Sequence, residues 1–321
     1  MAVLKRDKVL APWPPVPAYR AGGREATPFP AEGAVTWNIN TTCNYRCSYC
    51  TQRFLDDRRR WLRDGPAFIA AFRRLPGVWE VKISGGEPFV HPNLCEIVTG
   101  LREAGHAVSV VTNFSARRDR LAAFLAAAGA QLRIFSASLH LEYAGHKLAA
   151  FIGKARWLKE RLPASASLNV TCVATHGNLP RLPALRDRFA AAGLTFKVQP
   201  EKQARQIVDY TAEERAALLA LGGHNLTDEI AHDFHGLPCW AGARYFTLDD
   251  RGAAWRCYPA RRFRRQYLGN FLSEDFTLAR GPSPCLYDYC NCTVPIERGM
   301  LPLTGGRKQE AGGRRQEAAS S

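Results

Sequence analysis

The chain has no apolar run of the roughly 18 residues that cross a bilayer, and its opening residues, Met1-Ala2-Val3-Leu4-Lys5-Arg6-Asp7-Lys8, hold no apolar stretch of signal-peptide length. The first absence excludes a helical membrane span and the second a secretory signal, so a cytoplasmic protein with no membrane partner is expected. The cytosol keeps thiols reduced, so the ten cysteines are not expected to pair as disulfides; clustered cysteine there points to metal. Acidic residues are outnumbered, 29 Asp and Glu against 44 Lys and Arg, for a net charge of +15. The excess sits partly in runs: Arg58-Arg59-Arg60, Arg261-Arg262-Phe263-Arg264-Arg265, and Arg307-Lys308 and Arg314-Arg315 in the tail. Such a balance suits nucleic acid or an acidic substrate, but Arg-rich, Ala-rich, Lys-poor usage also marks a high-GC genome. The runs are read as solvated surface, and nucleic acid is not expected as a partner. No internal repeat is visible beyond a β/α alternation.

What is present is enough apolar sequence, 46% of 321 residues, to bury a large domain. Residues 1–30 hold Ala11-Pro12-Trp13-Pro14-Pro15-Val16-Pro17 and Pro28-Phe29-Pro30 and read as an extended arm. From Val35 to about Pro200 the pattern is strand, loop, helix, repeated. Strands are predicted at Val35–Ile39, Trp79–Ser84, Ala107–Asn113, Leu132–His140, Leu168–Thr175 and Thr195–Gln199, the third of near-continuous apolar character as in a helix-covered parallel sheet. Helices fall between them, one with Phe68, Ile69, Phe72 and Leu75 on a single face, others at 117–129, 146–162 and 182–192. Six β/α units with short links predict a parallel sheet with right-handed crossovers and a site beyond the strands' C-terminal ends. Thr211-Ala212-Glu213-Glu214 opens a further helix with a capping box. From Gly236 onward the chain turns to short strands, turns and five cysteines, and from about Thr304 to a Gly/Arg/Glu/Ala tail expected to be disordered.

Cys43-Asn44-Tyr45-Arg46-Cys47-Ser48-Tyr49-Cys50 places three thiols on a short loop after the first strand. The spacing lets one turn of backbone wrap a compact inorganic centre. No fourth Cys or His lies near in sequence, so a four-iron cluster here would keep one iron without a protein ligand, and an open coordination site is where a metal centre does chemistry. The alternatives are a zinc knuckle, which wants four ligands, or buried free cysteines, which need no fixed spacing.

The triplet resembles the signature of the radical S-adenosylmethionine (radical SAM) superfamily, down to the aromatic Tyr49 before the third Cys. That resemblance implies a partial (β/α)6 TIM-type barrel and a [4Fe-4S] cluster whose open iron chelates the amino and carboxylate groups of S-adenosylmethionine. Ser84-Gly85-Gly86-Glu87-Pro88 follows the second strand, where paired glycines are an ordinary turn or let backbone approach a ligand. The segment is similar to the superfamily's Gly-Gly-Glu-Pro motif lining the methionine amino group. Asn113 ends the third strand, and Ser138-Leu139-His140 the fourth; by the same resemblance Ser138 contacts the cofactor's ribose. His140 is read either as a proton acceptor facing substrate or as a helix-entry residue. No Arg occupies the fifth strand, so the cofactor carboxylate has no assigned contact.

Cys239, Gly252 and Cys257 are similar in spacing to the opening of SPASM and Twitch extensions, which hold auxiliary four-iron clusters. A hairpin around Asp249–Gly252 would bring Cys239 and Cys257 to one end, with Cys285, Cys290 and Cys292 returning from downstream. Five cysteines suit one auxiliary [4Fe-4S] cluster: Cys239, Cys257, Cys290 and Cys292 are the first choice, with Cys285 as competitor and a zinc ribbon as the alternative. Cys95 and Cys172 read as core residues.

The domain organisation expected is an arm over 1–30, a core barrel over 31–205, a linking helix region over 206–235, an auxiliary-cluster domain over 236–298 and a tail over 299–321. The expected function is reductive cleavage of S-adenosylmethionine to a 5′-deoxyadenosyl radical that abstracts hydrogen from a substrate C–H bond, with electrons from a donor such as flavodoxin or ferredoxin. A peptide or protein side chain is the first substrate reading, although no leader-binding domain is visible. A sugar or aminoglycoside-like small molecule is nearly level, RNA modification is third, and a non-catalytic zinc-binding protein is the reading from a different class.

Overall fold

The computed structural model describes residues 20–21, 24–25, 31–52, 54–56, 61–203, 206–290 and 292–301. Most of the Pro-rich arm, the arginine run at 58–60 and the tail from 302 lie outside the described residues; within the arm only the short pair β1 (Arg20–Ala21) and β2 (Arg24–Glu25) is described.

The β/α alternation is realised unit by unit. The order is β3 (Gly33–Asn38), α1 (Trp61–Arg73), β4 (Trp79–Ser84), α2 (Leu94–Glu103), β5 (Ala107–Thr112), α3 (Arg118–Ala128) and β6 (Leu132–Ser138). It continues through the single turn α4 (Leu141–Ala144), α5 (Leu148–Lys159), β7 (Ser167–Ala174), α6 (Leu182–Ala191) and β8 (Thr195–Pro200). Strands β3 to β8 pair in parallel and in sequence order. The fold is the expected mixed α/β architecture, a partial TIM-type barrel. The next helix, α7 (Ala212–Ala220), carries the predicted capping box, Thr211 Oγ1 accepting from Glu214 N and Glu214 Oε2 from Thr211 N.

Each strand has two unlike faces, as the period of two requires. Val35, Trp37, Val81, Ile83, Val110 and Phe135 are buried against the helices, whose Phe68, Phe72, Leu101 and Phe124 belong to the same core. The opposite face carries Glu80, Lys82, Ser84, Ser109, Ser136, Thr171 and Lys197. The barrel interior is therefore polar, unlike the branched apolar layers that fill a closed TIM barrel.

The barrel is also open, because β8 does not pair with β3. β3 is flanked instead by β10 (Tyr245–Leu248), which joins it in parallel and leads into the antiparallel β11 (Ala253–Trp255) and β12 (Tyr267–Asn270). The hairpin predicted around Asp249–Gly252 forms and extends the main sheet to nine strands. The rest of the C-terminal segment, with the pair β9 (Pro238–Cys239) and β13 (Ser283–Pro284) and helices α8 (Tyr258–Phe263) and α9 (Val294–Glu297), reaches the barrel's inner wall and mouth. Tyr245 Oη lies 3.2 Å from Thr36 Oγ1. Arg298 grips Glu80 through Nε–Oε2 at 2.6 Å and Nη2–Oε1 at 2.8 Å, and Ser109 donates to the same carboxylate. Burial alone would raise Glu80, but the Arg298 guanidinium outweighs it and holds the carboxyl down to about 2. At the mouth, Arg261 donates to Asn38 Oδ1 at 2.5 and 3.2 Å, and Arg262 to the Gln203 carbonyl. Two residues of an arginine run expected to be solvated thus tie α8 to the ends of β3 and β8.

Candidate functional site

The loop after β3 is pinned before it reaches its first cysteine. Gly86 N donates to Asn40 O and Glu87 N to Thr42 O, both at 2.9 Å, while Asn40 Nδ2 donates to Glu87 O. A Cβ on Gly86 would run into the Thr42 backbone, so only glycine permits this approach. The Glu87 carboxylate is fully buried and accepts from Thr112 Oγ1 (2.7 Å), Phe89 N (3.0 Å) and Asn113 N (2.6 Å). Burial still pushes it up to about 7 against these bonds. Gly85-Gly86-Glu87 therefore brackets the ends of β4 and β5 to the base of the cysteine loop, and Glu87 stands behind the site's wall.

Beyond that base the three thiols turn toward one cleft. Cys50 N donates to Cys47 O at 3.0 Å, closing the turn between the second and third cysteines, and Tyr45 N lies 3.3 Å from Cys43 Sγ. Asn113 Nδ2 reaches Asn44 Oδ1 at 2.8 Å and Cys43 Sγ at 3.9 Å. His140, the residue that opens α4, has Nδ1 at 2.7 Å from Tyr49 Oη and 3.3 Å from Cys47 Sγ. Burial pushes this imidazole down to about 4, so it is uncharged near neutral pH. It also pushes the Cys47 thiol up to about 11 and Cys43 up; a coordinated metal reverses that and deprotonates a thiol outright.

The cleft is open to solvent and is lined by Cys43, Cys47, Cys50, Tyr49, Gly85, Gly86, Asn113, Ser138 and His140. Among the residues expected at the N-terminal site, only Glu87 does not line it. The structure adds residues the motifs did not indicate: Tyr45, Phe54, Gln199 and Lys202. Among the described residues no three Cys, His, Asp or Glu side chains converge on a single-ion site. A multi-iron cluster puts each thiolate on a different iron, and Cys43, Cys47 and Cys50, from one loop and lining one cleft, are a donor set of that kind. The Ser138 hydroxyl faces the cleft at the end of β6, suited to a diol.

The C-terminal cysteines are brought together differently. β9 and β13 align Cys239 opposite Ser283; Cys285 N donates to Leu237 O and Cys290 N to His232 O. Arg256, beside Cys257, ties this region with one guanidinium that donates to the carbonyls of Ala241, Pro284, Ser283 and Cys239. Burial pushes Cys239, Cys257, Cys285 and Cys290 up, Cys257 to about 12. Cys257 is raised further by Cys239 and Cys285, and Cys290 by Cys292, Cys257 and Cys239, so all five thiols lie within electrostatic range of the group. Cys292 Sγ sits 3.6 Å from Tyr245 Oη on the barrel wall. Cys172 is buried in the sheet and Cys95 lies on α2.

Comparison with known proteins bears on this geometry. Residues 37–166 match the Radical SAM superfamily. The chain is 26% identical to the PqqA peptide cyclase of Rhodopseudomonas palustris, over 74% of this chain and 70% of that one. It is also 26% identical to the mycofactocin maturase MftC of Mycobacterium ulcerans, over 75% of this chain and 72% of that one. In fold it is similar to Streptococcus suis SuiB, solved bound to its precursor peptide SuiA, with a TM-score of 0.53 at 14% identity over 78% of this chain. The chain spans 64% of SuiB, less than two thirds of it. The cysteine loop, the Gly85–Gly86 bracket, Asn113 and Ser138 all fall inside the matched segment, and residues 37–166 of this chain are a radical SAM superfamily domain.

Proposed function

We propose that this chain is a radical SAM enzyme that modifies a peptide or protein side chain, with Cys43, Cys47 and Cys50 holding a [4Fe-4S] cluster and the C-terminal cysteines a second one. The observation that carries the reading is the meeting, in one cleft, of three thiols from a single loop with Gly85, Asn113 and Ser138 from three successive strand ends. When bound, the first cluster and S-adenosylmethionine supply one-electron cleavage to methionine and a 5′-deoxyadenosyl radical, which takes hydrogen from a substrate C–H bond, and a second cluster supplies an electron acceptor.

The chain's own residues do the rest. The bracket through Gly86 and Glu87 fixes the cysteine loop against β4 and β5; Asn113 braces it from the side. The Ser138 hydroxyl and the strand-end backbone offer polar groups to a nucleoside. Tyr45, Tyr49 and Phe54 give the cleft an aromatic rim that limits water around a reactive intermediate. In this reading residues 31–205 form the cofactor core, 206–235 link it, and 236–298 form a Twitch-like unit in which Cys239, Cys257, Cys290 and Cys292 are ligands and Cys285 competes. The peptide substrate is supported by the cyclase and maturase relatives.

Anaerobic reconstitution tests it. About seven to eight irons per chain are expected, with 5′-deoxyadenosine released on adding dithionite and S-adenosylmethionine. Zinc in place of iron, with no deoxyadenosine, would sink it.

A further inference from the structure

Beneath the cleft the barrel interior is cationic. Lys82 lies two residues before Ser84 and Lys197 two before Gln199; strand alternation puts both lysines one layer below residues that line the cleft. Lys202, just past β8, lines the cleft itself. The carboxylates of this interior are already engaged: Glu80 by the two hydrogen bonds from Arg298, and Glu297 by the charges of Lys82, Arg298 and Lys197. The titratable groups acting most strongly on Lys202 are the cysteines Cys292 and Cys290 and the cations Lys82 and Arg262, with no carboxylate among them. Its ammonium makes no hydrogen bond or ion pair among the described residues. Arg298, Lys82 and Lys197 thus share the two interior carboxylates, and Lys202, on which neither acts strongly, faces the ligand cleft. A largely buried charge without a partner is costly, and a ligand anion that pairs with it recovers that cost.

We infer that Lys202 is a substrate-recognition residue that binds a carboxylate of the peptide substrate, an Asp or Glu side chain or the chain terminus, between the cysteine-loop cleft and the C-terminal cysteines. The inference rests on the peptide-modifying reading and narrows it to an acidic segment. Lys82 and Lys197 supply the positive potential behind the contact, and Arg262, hydrogen-bonded to the Gln203 carbonyl, shares in holding the loop that carries Lys202.

The test uses the reconstituted full chain with S-adenosylmethionine bound and two probes that differ by one charge, N-acetyl-glutamate N-methylamide and N-acetyl-glutamine N-methylamide, titrated calorimetrically without oxygen. The carboxylate probe is expected to bind about tenfold or more tighter than the amide, the scale of one charge-assisted hydrogen bond. That ratio is expected to fall to about one in Lys202→Met and to return in Lys202→Arg. A ratio of one in the unsubstituted protein, or an unchanged ratio in Lys202→Met, would overturn the inference. So would a Lys202→Met protein that keeps the ratio but binds S-adenosylmethionine more weakly, since the ammonium would then serve the cofactor's own carboxylate. Deoxyadenosine formation by the unsubstituted protein reports separately on the reaction, so the two readings fail by different signals.

Discussion

Cys43, Cys47 and Cys50 come from one stretch of loop and border an open cleft, whereas Cys239, Cys257, Cys285, Cys290 and Cys292 are gathered from separate places along the C-terminal segment. The first group is held from below, by backbone hydrogen bonds between Asn40–Thr42 and Gly86–Glu87, which leaves its thiols facing solvent and ligand. The second is held from all sides, by the β9–β13 pair, the bridge to His232 and the Arg256 guanidinium, and its thiols sit among protein groups. The difference separates two jobs that iron–sulfur sites do. An open site admits a substrate to the metal, while an enclosed, fully ligated one has its potential set by burial, charge and hydrogen bonds.

The contrast can be pressed hardest at Cys257. Cys257→Ala is expected to remove the second cluster entirely, leaving about four irons of the reconstituted total. Iron analysis checks this, and Cys285→Ala, on the competing ligand, is expected to keep the full iron count. Next comes the tie between the two regions. Arg298→Met leaves Glu80 buried without its guanidinium and is expected to destabilise the fold by about 3–5 kcal/mol, read as a lowered denaturant midpoint at unchanged slope. The same pair predicts a pH effect. Glu80 titrates lower in the folded than in the unfolded chain, so its stabilisation is complete above the unfolded value of 4.5 and is lost as pH falls toward about 2. Acid titration of the Arg298→Met protein should show a shallower loss over that window. Smallest is Gly86→Ala, expected to cost about 1–3 kcal/mol by forcing a methyl into the Thr42 backbone. Its diagnostic effect is local: iron at the first site should fall while the second site stays filled.

Much of the barrel is legible in the amino-acid order. The six strands fall where apolar runs are bounded by turn signals, and the Thr211–Glu214 box caps its helix as its spacing implies. What is not legible depends on distant pairing. Nothing local in Tyr245–Leu248 says that it lies beside β3, some two hundred residues earlier, or that the hairpin prolongs the barrel sheet. Helix α4 starts ahead of the expected helix at 146, because His140 opens a single turn that the 3.6-residue pattern is too short to show. The glycine pair was readable as a turn, but its purpose is visible only once Thr42 is seen against Gly86. Lys202 carries no motif, yet a signal existed nearby. Strands covered by helices in a parallel sheet read as nearly continuous apolar runs, so Glu80, Lys82 and Lys197 within such strands point to a polar interior.

The division of labour between the two cysteine groups is tested most directly by replacing Cys43, Cys47 and Cys50 together with Ala and measuring iron and 5′-deoxyadenosine on the same reconstituted sample. The account predicts about four irons remaining and no deoxyadenosine above background. Loss of all iron, or deoxyadenosine formed without the loop cysteines, would contradict it.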